Sequence, residues 1–332
     1  MAALTAASGD RQVDPMKEGD SVILEEAVDT VVSSLTKDEY VQAIFLKGSM
    51  GRNEHDEFSD IDLYCLVNAE DLDLFLPNRM RHIRAYKELL FYDEIFIVAP
   101  QILAVYENLV HLDLFTVTEE NYVAKDFIKV LHDLDGRLSP LAAKQNLALE
   151  PAEFQDAVDD AVWFLYQYHA ASRRGNDLWS IQTLHNAMTN LSKALLHKYK
   201  PERAQLGMKD MERFLPEEPL AAVKRIYAHM TPEHHKQACR FMADLMLREE
   251  AWIFAHVPSP LKIKPLWDAI KNRIGRPANE RVTSGIRPRS AKKNPVSFSW
   301  KQQGSWRSFH GFRHPVTDAV MIWRGYPGLR TG

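Results

Sequence analysis

At 332 residues, with 45% apolar and 26% charged side chains and a formal net charge of −4, the chain has the make-up of an ordinary globular protein of about two domains. That charge excludes a general polyanion-binding surface and argues against a dedicated nucleic-acid binder, which is usually basic over a whole domain. Cys65 and Cys239 lie too far apart to be a disulfide framework and fit a reducing cytoplasm, while no apolar run approaches a membrane span and no secretion signal or internal repeat is visible.

Taken in order, residues 1–17 read as a loose leader without periodicity. From Asp20 the apolar positions Val22, Ile23, Leu24, Ala27, Val28, Val31, Val32 and Leu35 have helical spacing, with Asp20 or Ser21 as the N-cap. Val41 to Leu46 is an apolar run bounded by turn residues, which predicts a buried strand ending at a Gly48-Ser49 turn. A short helix from about Met50 to His55 would direct its free N–H groups at phosphate. The next apolar run, Ile61 to Val67, predicts a second strand. Side chains alternate along a strand, so Asp60 and Asp62 share one face while Ile61 and Leu63 point into the core. Two carboxylates on one face raise each other's pKa unless a cation lies between them, and Mg²⁺ is the first choice for an all-oxygen pair.

Glu70 to Leu90, broken by Pro77, predicts two short helices or a helix and a loop. Tyr92 to Val98 and Ile102 to Tyr106 predict a hairpin about Pro100, with Asn108 marking the following turn. Along Leu109 to Val117, His111, Asp113 and Phe115 fall on one face and Val110, Leu112, Leu114 and Thr116 on the other. An aspartate in mid-strand among apolar residues is costly to bury unless paired or metal-bound, so Asp113 is either a site residue or an edge-strand residue facing water. Asp135-Gly136 is a turn signal, and 140–151 reads as a linker or short helix. From Ala152 the spacing turns helical: Phe154 to Arg173, Leu178 to Tyr199, Leu220 to Met230 and Pro232 to His256, with Asp177 and Thr231 as expected N-caps. These make a bundle of four or five helices. The domain boundaries expected are 18–140 for the first domain, 150–274 for the helical domain and 275–332 for a basic tail. That tail is poorly ordered or loosely attached. It could bind nucleic acid through its basic and aromatic residues, and a dispensable extension is the simpler account.

Gly48-Ser49, a polar gap and Ser59-Asp60-Ile61-Asp62-Leu63 together resemble the signature of the nucleotidyltransferase superfamily that includes DNA polymerase beta. The likeness is nearest to the antibiotic nucleotidyltransferases that modify aminoglycosides and lincosamides, and it covers approximately residues 20–260. The bland alternative is a tight turn followed by a solvated acidic pair. The resemblance implies an α+β fold, with a mixed nucleotidyltransferase sheet and flanking helices followed by a C-terminal helical bundle. It implies Mg²⁺ held by Asp60, Asp62 and Asp113, with Asp113 in the place of the family's third carboxylate and acting as base. Gly48 and Ser49 would meet the triphosphate. Met50 departs from the family's arginine, which leaves Arg52 or Lys47 to offset phosphate charge. Glu94 competes with Asp113 for the role of base.

The implied activity is transfer of a nucleoside monophosphate, AMP from ATP, to a hydroxyl of a small antibiotic acceptor, releasing pyrophosphate. Protein nucleotidylation of a partner and a non-catalytic nucleotide-binding module are the alternatives. A monomer and a homodimer are both compatible with the sequence. Asp160, Trp163, Asp177 and Trp179, near Asp156, Asp159, Tyr166 and Tyr168, are the acceptor-binding candidates, since acids with aromatic walls suit a polycationic or sugar-like ligand. Aromatic residues at helical spacing are equally a core pattern. His55, His111, His185, His197, His234 and His235 show no metal-ligand spacing.

Overall fold

The computed structural model describes residues 21–96, 99–122, 125–142 and 145–274, so the expectations for 1–17 and 275–332 lie outside the described residues. The chain divides into two compact units, one ending at Asn146 and one beginning at Leu147.

The first unit contains α1 (Ser21–Leu35), β1 (Val41–Leu46), α2 (Gly48–Gly51), β2 (Ile61–Val67), α3 (Leu72–Phe75) and α4 (Arg79–Ile83). It continues with β3 (Leu89–Phe96), β4 (Pro100–Tyr106), β5 (His111–Val117), β6 (Lys129–Asp133) and α5 (Ser139–Ala142). The strands form one mixed sheet in the order β3-β4-β5-β2-β1-β6. Among the described strands only β2 and β5 pair in parallel; the other neighbours are antiparallel. The predicted hairpin is present as β3 and β4, starting three residues earlier than expected. β6 lies within Ile128 to Leu138, the segment expected by resemblance to close the first domain, and it pairs antiparallel with β1 at the edge of the sheet.

Alternation decides which side each strand buries. Ile44, Leu46, Ile61, Leu63, Leu112, Leu114 and Ile102 are fully covered on one face, against the stripe Leu24, Val28, Val31 and Leu35 of α1. That stripe repeats at helical spacing, and each such side chain contributes roughly 1.5–3 kcal/mol on burial. The opposite face carries a smaller cluster of Phe45, Leu66 and Val117 with Tyr64 and Tyr122 packed on it. Asp38, in the turn after α1, is buried and accepts from Asn78, Arg81 and the ring of His82, each at 3.0 Å. This anchors the α1–β1 turn to α4.

The second unit is helical: α6 (Pro151–Arg173), α7 (Asp177–Tyr199), α8 (Met211–Phe214), α9 (Glu217–Tyr227), α10 (His235–His256) and α11 (Lys264–Ile270). α6 starts with Pro151 at its first position and a capping box between Glu150 and Glu153. Two expected caps differ. Asn176, not Asp177, caps α7 by accepting from the Trp179 N–H. The last long helix begins at His235 rather than Pro232, because 231–234 form a turn in which the Thr231 hydroxyl accepts from the His234 N–H. Cys65 and Cys239 are both free and buried. No described helix is long and apolar enough to cross a membrane.

Within this unit His197 stacks on Phe154 at 4.4 Å and lies edge-on to Trp252, and its Nδ1 is buried without a partner among the described residues. Burial holds its pKa below the usual 6.5, so the unfolded chain binds the extra proton first. Stability from this group is present above pH 6.5 and is lost as pH falls toward the folded pKa. His82 and His169 are depressed for the same reason and act in the same direction. We expect His197→Leu to flatten the fall of Tm between pH 7.5 and 5 measured by circular dichroism; an unchanged slope would show that His197 is solvated.

Candidate active site

The parallel register of β2 with β5 sets Ile61 beside Leu112 and Asp62 beside Asp113, which continues to Asp60 beside His111. All four polar side chains occupy one face, since 60 and 62, and 111 and 113, are two residues apart. Tyr64 and Phe115 extend the same two columns and stack at 4.4 Å. Lys47, just past β1, donates its backbone N–H to the Asp62 carbonyl, and its ammonium lies 5.2 and 5.3 Å from the rings of Tyr64 and Tyr122. Burial lowers the Lys47 pKa, against the opposing pull of Asp126 and Asp62.

Asp60 precedes β2 and is exposed, whereas the Asp113 side chain is only 12% exposed and sits on a central strand, not an edge. The His111 Nε2 lies 3.2 Å from Asp113 Oδ1. This bond, opposed by partial burial, raises the His111 pKa above its ordinary value. Ligand atoms from Asp60, His111 and Asp113 all fall within 4.8 Å of one another. Asp62 is outside that trio; its Oδ2 rests against Gly48. The sequence reading placed His111 on the face of Asp113 but found no metal-ligand spacing for it, because its neighbour Asp60 lies just before another strand.

The phosphate-facing turn also differs from expectation. α2 begins at Gly48 and ends at Gly51, earlier and shorter than the helix expected over Met50 to His55. Gly48 has a φ of +62°, and a Cβ there would collide with the Asp62 carboxylate. The Ser49 hydroxyl is buried with no partner among the described residues. Met50, the departure from the family's arginine, packs into the core. The Arg52 guanidinium is taken up by Asp126 at 2.6 Å and Glu54 at 3.0 Å. Glu94 aligns with Ile102 and through it with Leu114, on the sheet face opposite to Asp113, and it accepts from Arg79 at 2.9 Å. That placement puts the sheet between Glu94 and the Asp60, Asp62 and Asp113 face.

The four acceptor candidates are not gathered at one place. Asp160 and Trp163 share an exposed stripe of α6 with Asp156. Asp177 and Trp179 open α7, and the helix rise puts the end of α6 roughly 15–20 Å from Trp163 and Asp160. Asp177 accepts from the buried His235 ring at 3.0 Å, and the other ring nitrogen of His235 lies 2.9 Å from the hydroxyl of Tyr168, a core residue rather than a pocket wall.

The family model of streptomycin adenylyltransferase matches residues 23–256, well over half of the chain, and the chain belongs to that family. It is a nucleotidyltransferase. Among solved structures, an aminoglycoside 6-adenyltransferase from Bacillus subtilis is similar at 12% identity over 74% of this chain and 97% of its own, with a TM-score of 0.31. A nucleotidyltransferase-like protein from Exiguobacterium sibiricum 255-15 is similar at 14% identity over 75% of this chain and 80% of its own, with a TM-score of 0.33. Comparison with curated proteins finds no match.

Gly48→Ala should cost stability twice, through the left-handed backbone, about 1–2 kcal/mol, and through displacement of Asp62. Gly136→Ala, at φ +70° with nothing nearer than 3.9 Å, carries the backbone cost alone. Chemical denaturation of both variants should show the larger loss at Gly48; equal losses would mean the turn gives way without disturbing Asp62.

Proposed function

We propose that this chain transfers the AMP moiety of ATP to a hydroxyl of an aminoglycoside-type antibiotic and releases pyrophosphate. The observation that carries this is the placing of Asp60, Asp62 and Asp113 on two adjacent parallel strands, against a Gly48-Ser49 turn whose serine hydroxyl has no partner among the described residues. The donor set suits a divalent cation: carboxylates crowd one sheet face, and oxygen ligands of this kind fit Mg²⁺. Asp60, Asp62 and Asp113 would hold it; when bound, Mg²⁺ neutralises phosphate charge and acidifies the acceptor hydroxyl.

The chain's own residues do the rest. Gly48 lets backbone approach the triphosphate, and the Ser49 hydroxyl donates to a phosphate oxygen. Lys47 offsets phosphate charge from the same sheet face, while Arg52, held by Glu54 and Asp126, fixes the loop after the turn instead of gripping nucleotide. Asp113 accepts the proton of the acceptor hydroxyl. That oxygen bonds to the α-phosphorus as the bond to pyrophosphate breaks. The helical unit supplies acceptor contacts from the exposed stripe of Asp156, Asp160 and Trp163, where paired acids attract ammonium groups and the indole stacks on a sugar face. Asp177 and Trp179 form a separate, weaker candidate. An ATP donor and two free thiols fit a cytoplasmic enzyme.

Pyrophosphate release, measured with each of the four nucleoside triphosphates and a panel of aminoglycosides and lincosamides, tests the proposal. ATP with an aminoglycoside should give the highest rate. Asp60→Asn and Asp62→Asn should abolish it with the fold intact, Asp113→Ala should lower turnover at least about 10²-fold, and Glu94→Ala should leave it nearly unchanged. Near-native turnover in either Asn variant, or a loss confined to Glu94→Ala, would overturn the assignment.

A further inference from the structure

We infer that His111 is itself a metal ligand, so that the cation held by the carboxylates of this site also has a nitrogen donor. The inference rests on the metal-dependent reading above and deepens it. The geometry is the first support. Transition-metal bonds to imidazole nitrogen and carboxylate oxygen are about 2.0–2.2 Å long, which places neighbouring ligand atoms of one ion about 3 Å apart. His111 Nε2 and Asp113 Oδ1 are already 3.2 Å apart, and the ligand atom of Asp60 lies within 4.8 Å of both. The second support is rigidity. His111 and Asp113 share one face of a central strand, and Asp60 adjoins His111 through the parallel register. The third is access. A cleft of about 550 Å³ opens at Asp60 and His111, walled by Phe58, Ser59, Leu109 and Val110. Asp62, whose Oδ2 lies against Gly48, keeps its place in the carboxylate set proposed above.

The competing role for His111 is an outer one, in which Nε2–H only orients the Asp113 carboxylate. In the ligand role the ion replaces that hydrogen, and the neutral ring keeps its proton on Nδ1. The two roles differ in metal preference. Carboxylates alone suit Mg²⁺ and Mn²⁺ alike, whereas imidazole suits the later first-row ions such as Ni²⁺ and Zn²⁺. A nitrogen ligand therefore favours a transition ion over Mg²⁺, and Mn²⁺ is the paramagnetic probe of that preference.

The test uses the full chain without nucleotide. Mn²⁺ is titrated in and its free concentration followed by electron paramagnetic resonance, with Mg²⁺ as competitor; pulsed spectra of the bound ion report coupling to ¹⁴N. Two variants separate the roles. His111→Ala removes the ring, and His111→Asn keeps a side-chain donor for Asp113. Wild type should show ¹⁴N coupling. Both variants, with unchanged circular dichroism, should lose that coupling, and their Mn²⁺ affinity should fall at least about tenfold, more than their Mg²⁺ affinity does. Absence of ¹⁴N coupling in wild type, its survival in both variants, or full Mn²⁺ affinity in His111→Asn would overturn the inference. Asp60→Asn and Asp113→Asn serve the parent reading. If Mn²⁺ binding is indifferent to them, the carboxylate site itself fails. If binding depends on them but shows no nitrogen coupling, only the role of His111 fails.

Discussion

The parallel pairing of β2 with β5 is the constraint on which the site depends. Each strand carries a two-residue polar repeat, Asp60 with Asp62 and His111 with Asp113, and neither repeat is a site alone. Parallel pairing in this register lays them side by side as a patch of four. A slip of one residue would rotate one column to the opposite face, exchanging carboxylates for core leucines. The chain reaches that pairing through a long crossover that includes α3, α4 and the β3–β4 hairpin, as parallel neighbours require.

Holding the register costs free energy, because carboxylates are brought together on one face. Like charges gathered on one face oppose folding, less so at Asp60, which is exposed and screened by water. On the other face of the same two strands Ile61, Leu63, Leu112 and Leu114 are fully buried. Four such side chains contribute on the order of 6–12 kcal/mol, enough to hold the pairing against the repulsion. The apolar face thus sustains a concentration of negative charge that a cation can then relieve, and the same alternation that hides the leucines presents the acids.

The turn after β1 shows a different economy. Position 50 is a buried methionine, and the nearby guanidinium of Arg52 is tied to Asp126 and Glu54. Cationic character on the site face therefore comes from Lys47, one residue before Gly48, which the backbone hydrogen bond to Asp62 aligns with the carboxylate row. In the helical unit, capping chemistry redirects Asp177: with Asn176 serving as cap, the Asp177 carboxylate turns to His235.

The sequence by itself determined what local periodicity and turn chemistry can encode. Period two showed that Asp60 and Asp62, and His111 and Asp113, each share a face, and helical spacing marked the stripes of α1, α6 and α7. The Gly-Ser and Asp-x-Asp spacing carried the resemblance to the family to which the chain belongs. Only the tertiary structure decided which strands adjoin. It put Asp113 on a central strand beside Asp62, sent Glu94 to the opposite face, brought His111 to Asp60, and kept Asp160 away from Asp177. Strand order, register and the partners of long side chains are fixed by contacts between residues far apart in sequence, so no local pattern could contain them.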